Sequence, residues 1–244
     1  MLISRRMSAL LAVTLFSLLV VPAALAGQPS SVSVRVVGLT GTTLLPQTQV
    51  TTTDTPIDPD GESADLCSGT SAGGALYDAV QGNWVVKYDE GLGYEIDGIQ
   101  GLNFPSFSPS VTPDAYWSFW LNDAPASNGA CDQELEPGAD VVFFAQCDAI
   151  GTDCPTSASA PQHFLTESLP ASSVQVGTPF SVAVGSLNTE SGAPESLPGG
   201  VTVSSGSQNV TPNAQGVATL SFSSVGTYTI AASAPDSVPS DPLT

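Results

Sequence analysis

The sequence predicts a mostly β protein: a β-grasp-like α+β domain, a sheet with one helix, followed by an immunoglobulin-like (Ig-like) β-sandwich. Three observations carry this reading. Alternating apolar and polar residues recur along the chain, as in SVSVRVV at 31–37 and YWSFWLND at 116–123. A single stretch after the N-terminus, CSGTSAGGALYDAVQGNW at 67–84, has helical periodicity. From residue 164 onward the runs become short and regularly spaced, with Gly, Pro and Asn turns between them, the pattern of a sandwich.

Residues 1–26 read as a secretory signal peptide. Arg5 and Arg6 precede an apolar run from Ala9 to Val21, and Ala24-Leu25-Ala26 is a small-x-small cleavage site. A retained anchor needs about 20 apolar residues, and this run is shorter. Cleavage is expected after Ala26, giving a secreted or cell-surface chain with no later run able to span a membrane. Of 4 basic and 23 acidic residues, Arg5 and Arg6 leave with the signal. The remainder holds two basic against 23 acidic residues, a formal charge of −21. Such a surface repels phosphate backbones and anionic lipid heads, so neither nucleic acid nor a membrane surface is an expected partner.

The chain then runs as follows. Residues 31–37 place Val32, Val34 and Val36 on one face and Ser33, Arg35 and Val37 on the other. TTLLPQTQVTTT, at 42–53, is a second strand forming a hairpin with the first, and Pro46 marks an edge or a bulge. The acidic loop at 54–66 has Asp54, Asp58, Asp60, Glu62 and Asp65 but lacks the ligand order of a calcium hand. In the helix, Ala72, Ala75, Leu76, Ala79 and Val80 form the buried stripe. Ser71 caps its start and Gly82 supplies a left-handed residue past its end. NWVVKYD and GYEIDGIQGL are the third and fourth strands, and a Ser/Pro loop fills 104–113. YWSFWLND follows, and ADVVFFAQ at 139–146 is apolar on both faces, as a central strand should be.

This run resembles a known family. VSVRVVG with TLLPQTQVTT, the C-x-G-T-S-A-G-G-A-L-Y-D-A run, YWSFWLN, GACDQEL and PGADVVFFAQC are similar to the domain of unknown function known as DUF4430. That domain is itself similar to the C-terminal β domain of transcobalamin and intrinsic factor, here in the form of exported actinobacterial proteins. The resemblance covers 31–148 and implies a small-ligand or surface-binding module. The larger helical domain that encloses cobalamin in that family has no counterpart in this sequence.

Residues 149–163 are a Pro/Ser/Ala linker with few apolar residues, so the two domains are expected to fold separately and move independently. The Ig-like part, 164–244, shows strands in SVQVGTPFSVAVGSL, GGVTVSSGS, ATLSFSS and GTYTIAASA, and resembles bacterial surface repeats. Tyr228 is placed like a tyrosine corner. The last run, SDPLT, stops almost as it begins, so a C-terminally truncated or poorly completed last strand is expected.

Four cysteines in an exported chain imply two disulfides before a metal. Cys147 ends a strand and Cys154 lies seven residues on, so these two are expected to close a local loop. That leaves Cys67 for Cys131, and a Cys67–Cys147 bond is the alternative that would reverse the assignment. No metal is expected, with His163 the only histidine.

Gly69-Thr70-Ser71-Ala72-Gly73 matches the nucleophile-elbow pattern, with His163 downstream. An elbow follows a buried parallel strand, however, and Ser71 follows a polar loop, while His163 falls in the linker. The acid pairs Asp89–Glu90 and Glu134–Glu136 read as solvated loop acids. No enzymatic activity and no cofactor are expected.

Three functions are weighed: an exported binding or surface-interaction protein, a carrier for a small cofactor such as a corrinoid, and a serine hydrolase. The first is preferred, with a small molecule, a glycan or a surface protein as partner. Its ligand is expected on the sheet face away from the helix. Val34, Val36, Trp117, Phe119 and Leu121 turn toward the helix. Alternation then sets Arg35, Tyr116, Ser118 and Trp120 on the open face, with Lys87 joining them. The competing reading has Trp120 covered by the 104–113 loop, and Arg35 and Lys87 paired with acids.

Overall fold

The computed structural model describes residues 27–61, 65–91, 93–104, 114–147, 154 and 160–244. The expected signal peptide at 1–26, Glu62, the 105–113 part of the Ser/Pro loop and most of the linker lie outside these residues. The first unit contains β1 (Ser31–Val37), β2 (Thr43–Thr51), α1 (Ala72–Ala79), β3 (Trp84–Asp89), β4 (Gly93–Ile99), β5 (Leu102–Asn103), β6 (Ala115–Leu121), β7 (Ala124–Pro125) and β8 (Asp140–Cys147). The second contains β9 (His163–Ser168), β10 (Phe180–Asn188), β11 (Pro194–Glu195), β12 (Thr202–Ser205), β13 (Gln208–Val210), β14 (Val217–Leu220), β15 (Ala231–Ser233) and β16 (Ser237–Val238).

The main sheet has the order β2-β1-β8-β6-β7. β1 and β8 run parallel in its centre, and every other neighbouring pair is antiparallel. Parallel neighbours require a crossover, and the segment carrying α1 supplies it. A hairpin, a helix and a final strand returned beside the first make the β-grasp arrangement. β2 is an edge strand, and its register slips beside Val36, where Leu45 rather than Pro46 is the partner. Pro46, which has no N–H to give, therefore sits at both an edge and a bulge.

β3, β4 and β5 do not extend this sheet. They form a separate three-stranded sheet, whose Trp84 and Ile96 pack on the helix-side core. That core joins Val32, Val34, Val36, Val141 and Phe143 of the sheet to Ala72, Ala75, Leu76 and Val80 of the helix region. Trp117, Phe119 and Leu121 pack against it from the same side, as alternation requires.

In the second unit, β11-β10-β9-β16, with β14 also on β10, faces the sheet β13-β12-β15. Leu165, Val182, Val203, Leu220, Ile230 and Ala232 form the core of this Ig-like sandwich. The Tyr228 hydroxyl donates to the Ser224 carbonyl at 3.0 Å, the back-bond of a tyrosine corner, and its ring stacks on Phe222 at 3.7 Å. Two strands are shorter than their patterns suggest. β10 begins only at Phe180, leaving Val174 and Val176 outside any strand, and β15 begins at Ala231. His163 belongs to the sandwich rather than the linker, as the first residue of β9.

The two units share an apolar seam, where freely moving domains were expected. Val37, Trp120, Val142 and Phe144 of the sheet pack with Phe164 and Val238 of the sandwich. Trp120 and Phe164 stack with ring centroids 4.3 Å apart. The docking side chains come from strands on both sides, so the polar composition of the linker is no guide to them. β1 is consequently buried on both faces from Val32 to Val37.

Candidate functional site

The cap of α1 is the local structure that the sequence made suspicious as chemistry. The Ser71 hydroxyl accepts from the Gly74 N–H at 3.1 Å and donates to the Ser68 carbonyl at 2.6 Å. It is fully buried, and both its proton and its acceptor capacity serve the helix start. His163 Nδ1 lies 2.5 Å from Glu195 Oε1, within the sandwich. The helix then stops in two left-handed residues, Gln81 at φ 55° and Gly82 at φ 72°; the glycine is the second of the pair.

Disulfides join Cys67 to Cys131 and Cys147 to Cys154. The first sits under the helix. A Cβ on Gly73 would lie 2.8 Å from Cys67 Sγ and 2.9 Å from Cys131 Sγ, and one on Gly74 would lie 2.5 Å from the Ser68 carbonyl. Two glycines inside a helix cost stability, and here contact with the disulfide and the entering loop requires them. The acidic loop is tied down by a tyrosine. The Tyr94 hydroxyl donates to the Asp65 carbonyl at 2.6 Å, with Asp60 Oδ1 at 3.2 Å. Burial, and then the Asp60 carboxylate, push that hydroxyl up to about 12.

The five residues expected on one open face are dispersed. Trp120 is 1% exposed and stacks on Phe164 of the sandwich; the 105–113 part of the loop expected to cover it lies outside the described residues. Arg35 is 4% exposed; its Nη1 donates to the Pro239 carbonyl and its Nη2 lies 2.6 Å from Asp241 Oδ1. Its guanidinium also lies 5.6 Å from the Phe164 ring centre. Tyr116 is exposed and Ser118 half-buried, further along the same face of β6. Lys87 is in the small sheet, opposite Glu95 in register. The physical reason is topological: β3 and β4 leave the main sheet, and a second unit occupies the face that an isolated sheet would expose.

A groove of about 380 Å³ lies on the sandwich instead. Val174, Val176, Phe180, Phe222, Val225 and Tyr228 supply its apolar surface, and among the described residues no charged side chain lines it. Val174 is 40% exposed, Val176 49% and Val225 91%. Ile230, also in the lining, is bridged antiparallel to Leu243 through two backbone hydrogen bonds of 2.8 and 2.9 Å. The signal available in the sequence was the alternation in SVQVG and GTYTI, which is strand-like although only Ile230 of these residues is bridged to another segment.

Fold and crosslinks together define a class: a disulfide-linked, β-rich protein with one β-grasp unit and one sandwich. No protein-family model matches the chain, and no curated protein matches it.

Proposed function

We propose that the protein is an exported, non-enzymatic binding or surface-interaction protein, a DUF4430-like head carried on an Ig-like unit. The observation that carries this reading is the apolar groove of the sandwich, which no charged side chain among the described residues lines. Groups of exposed apolar side chains mark interaction sites more often than isolated ones do. A groove without charged side chains, in a chain of formal charge −19, selects for an apolar, uncharged occupant. Its walls are backbone segments around 173–176 and 224–228, beside the Ile230–Leu243 bridge, a setting for an extended segment that adds as a strand. Two disulfides suit an oxidising compartment and support export, with cleavage behind Ala26.

The test uses residues 27–244 and a synthetic uncharged peptide of alternating valine and threonine, followed by fluorescence anisotropy. Saturable binding is expected, weakened at least tenfold in a Val174→Ser, Val176→Ser, Val225→Ser variant that keeps its circular dichroism. No binding to the parent chain, or equal binding to the variant, overturns the groove as the site. An absorbance change of added hydroxocobalamin would favour the corrinoid carrier instead.

A further inference from the structure

The seam between the two units buries an unbalanced set of charges. Arg35 reaches across from β1 to Asp241 and to the Pro239 carbonyl. Around Asp241 stand two further carboxylates, Asp140 at the start of β8 and Asp123 in the turn between β6 and β7. Asp140 accepts from Ser33 Oγ and from Gln47 Nε2, and its N–H donates to Asn122 Oδ1 at 2.9 Å. In register, Asp140 lies opposite Ser33, on the same sheet face as Arg35, and its Oδ2 is buried and accepts no hydrogen bond among the described residues. A buried carboxylate oxygen with no donor on it disfavours a second negative charge close by. With Asp140 and Asp241 both ionised, the single buried guanidinium would face two half-buried negative charges, and Asp123 would add a third from an exposed turn.

We propose that Arg35, Asp123, Asp140 and Asp241 form a proton-dependent latch: the seam takes up a proton as it closes and loosens when that proton is lost.

Other groups near the same segment do not compensate. Glu167 on β9 faces it through Ser240 and Leu243, and burial raises its carboxyl too. His163 is engaged with Glu195 on the sandwich side. The Asp241 carboxyl is pushed up to about 7, mainly by burial; Arg35 opposes this, while Asp140 and Asp123 reinforce it. Burial raises Asp123 as well, with Asp140 adding and Arg35 opposing. The sign follows from linkage. An acid raised in the closed state binds protons better closed than open, so closure is most favoured in acid. It weakens as pH rises from the ordinary aspartate value of 3.8 toward 7 and levels off above that.

Hydrogen–deuterium exchange of residues 27–244, corrected for intrinsic rates, reads the opening of the 237–241 segment and of β6. Opening is expected to increase with pH between 5 and 7, by up to about tenfold per unit, and then to flatten. Asp241→Asn, which carries no charge at any pH, is expected to remove the slope and keep the seam closed at pH 8. Should that variant not fold, Asp140→Asn gives the same reading from the other partner. Exchange independent of pH in the parent chain, or an unchanged slope in the variants, overturns the latch.

Discussion

Ser71 uses one hydroxyl twice, and this explains why an apparent nucleophile motif is structural. The surrounding glycines serve contact rather than catalysis, because the helix must lie on a disulfide and on its own entry loop. Ser71→Ala is expected to lower stability by about 1 kcal/mol through the lost cap, read as a shift in the denaturant midpoint without a change in slope. Arg35 shows the limit of reading single residues. Alternation placed it on the face away from the helix, which is where it lies. Nothing in SVSVRVV, however, says that the face is covered, because Asp241 and Pro239 lie some two hundred residues further along the chain.

At the scale of elements, the disulfides differ in what they restrain. Cys67–Cys131 closes a separation of 64 residues and Cys147–Cys154 one of 7. By chain entropy the first contributes about 4 kcal/mol and the second about 2.5 kcal/mol. Cys67→Ser with Cys131→Ser is therefore expected to destabilise more than Cys147→Ser with Cys154→Ser, measured by urea unfolding of each pair. The helix, both hairpin strands, the edge role of Pro46 and the central position of β8 were all legible, because each leaves a local period or a breaker in the sequence. The separation of β3 and β4 into their own sheet was not. A strand pattern specifies a half-buried ribbon without saying which sheet receives it. For the same reason Val174 and Val176 look like strand residues and lie outside any strand.

For the whole molecule, the decisive contact is the stack of Trp120 on Phe164. It turns two units with separate cores into neighbours sharing a third, and neither half shows this by itself. A double-mutant cycle of Trp120→Ala and Phe164→Ala is expected to give a coupling of about 1 kcal/mol. Additive losses would show that the rings contribute area only. The ligand face failed to assemble for this global reason, since its largest aromatic and its arginine are spent in holding the halves together. That arrangement also bears on resistance to trypsin-like proteases. Beyond residue 26, Arg35 and Lys87 are the only residues after which a trypsin-like enzyme can cut. Arg35 is buried in a central strand and Lys87 is held within a ladder, so the same scarcity of positive charge leaves such enzymes no ready point of attack while the chain stays folded.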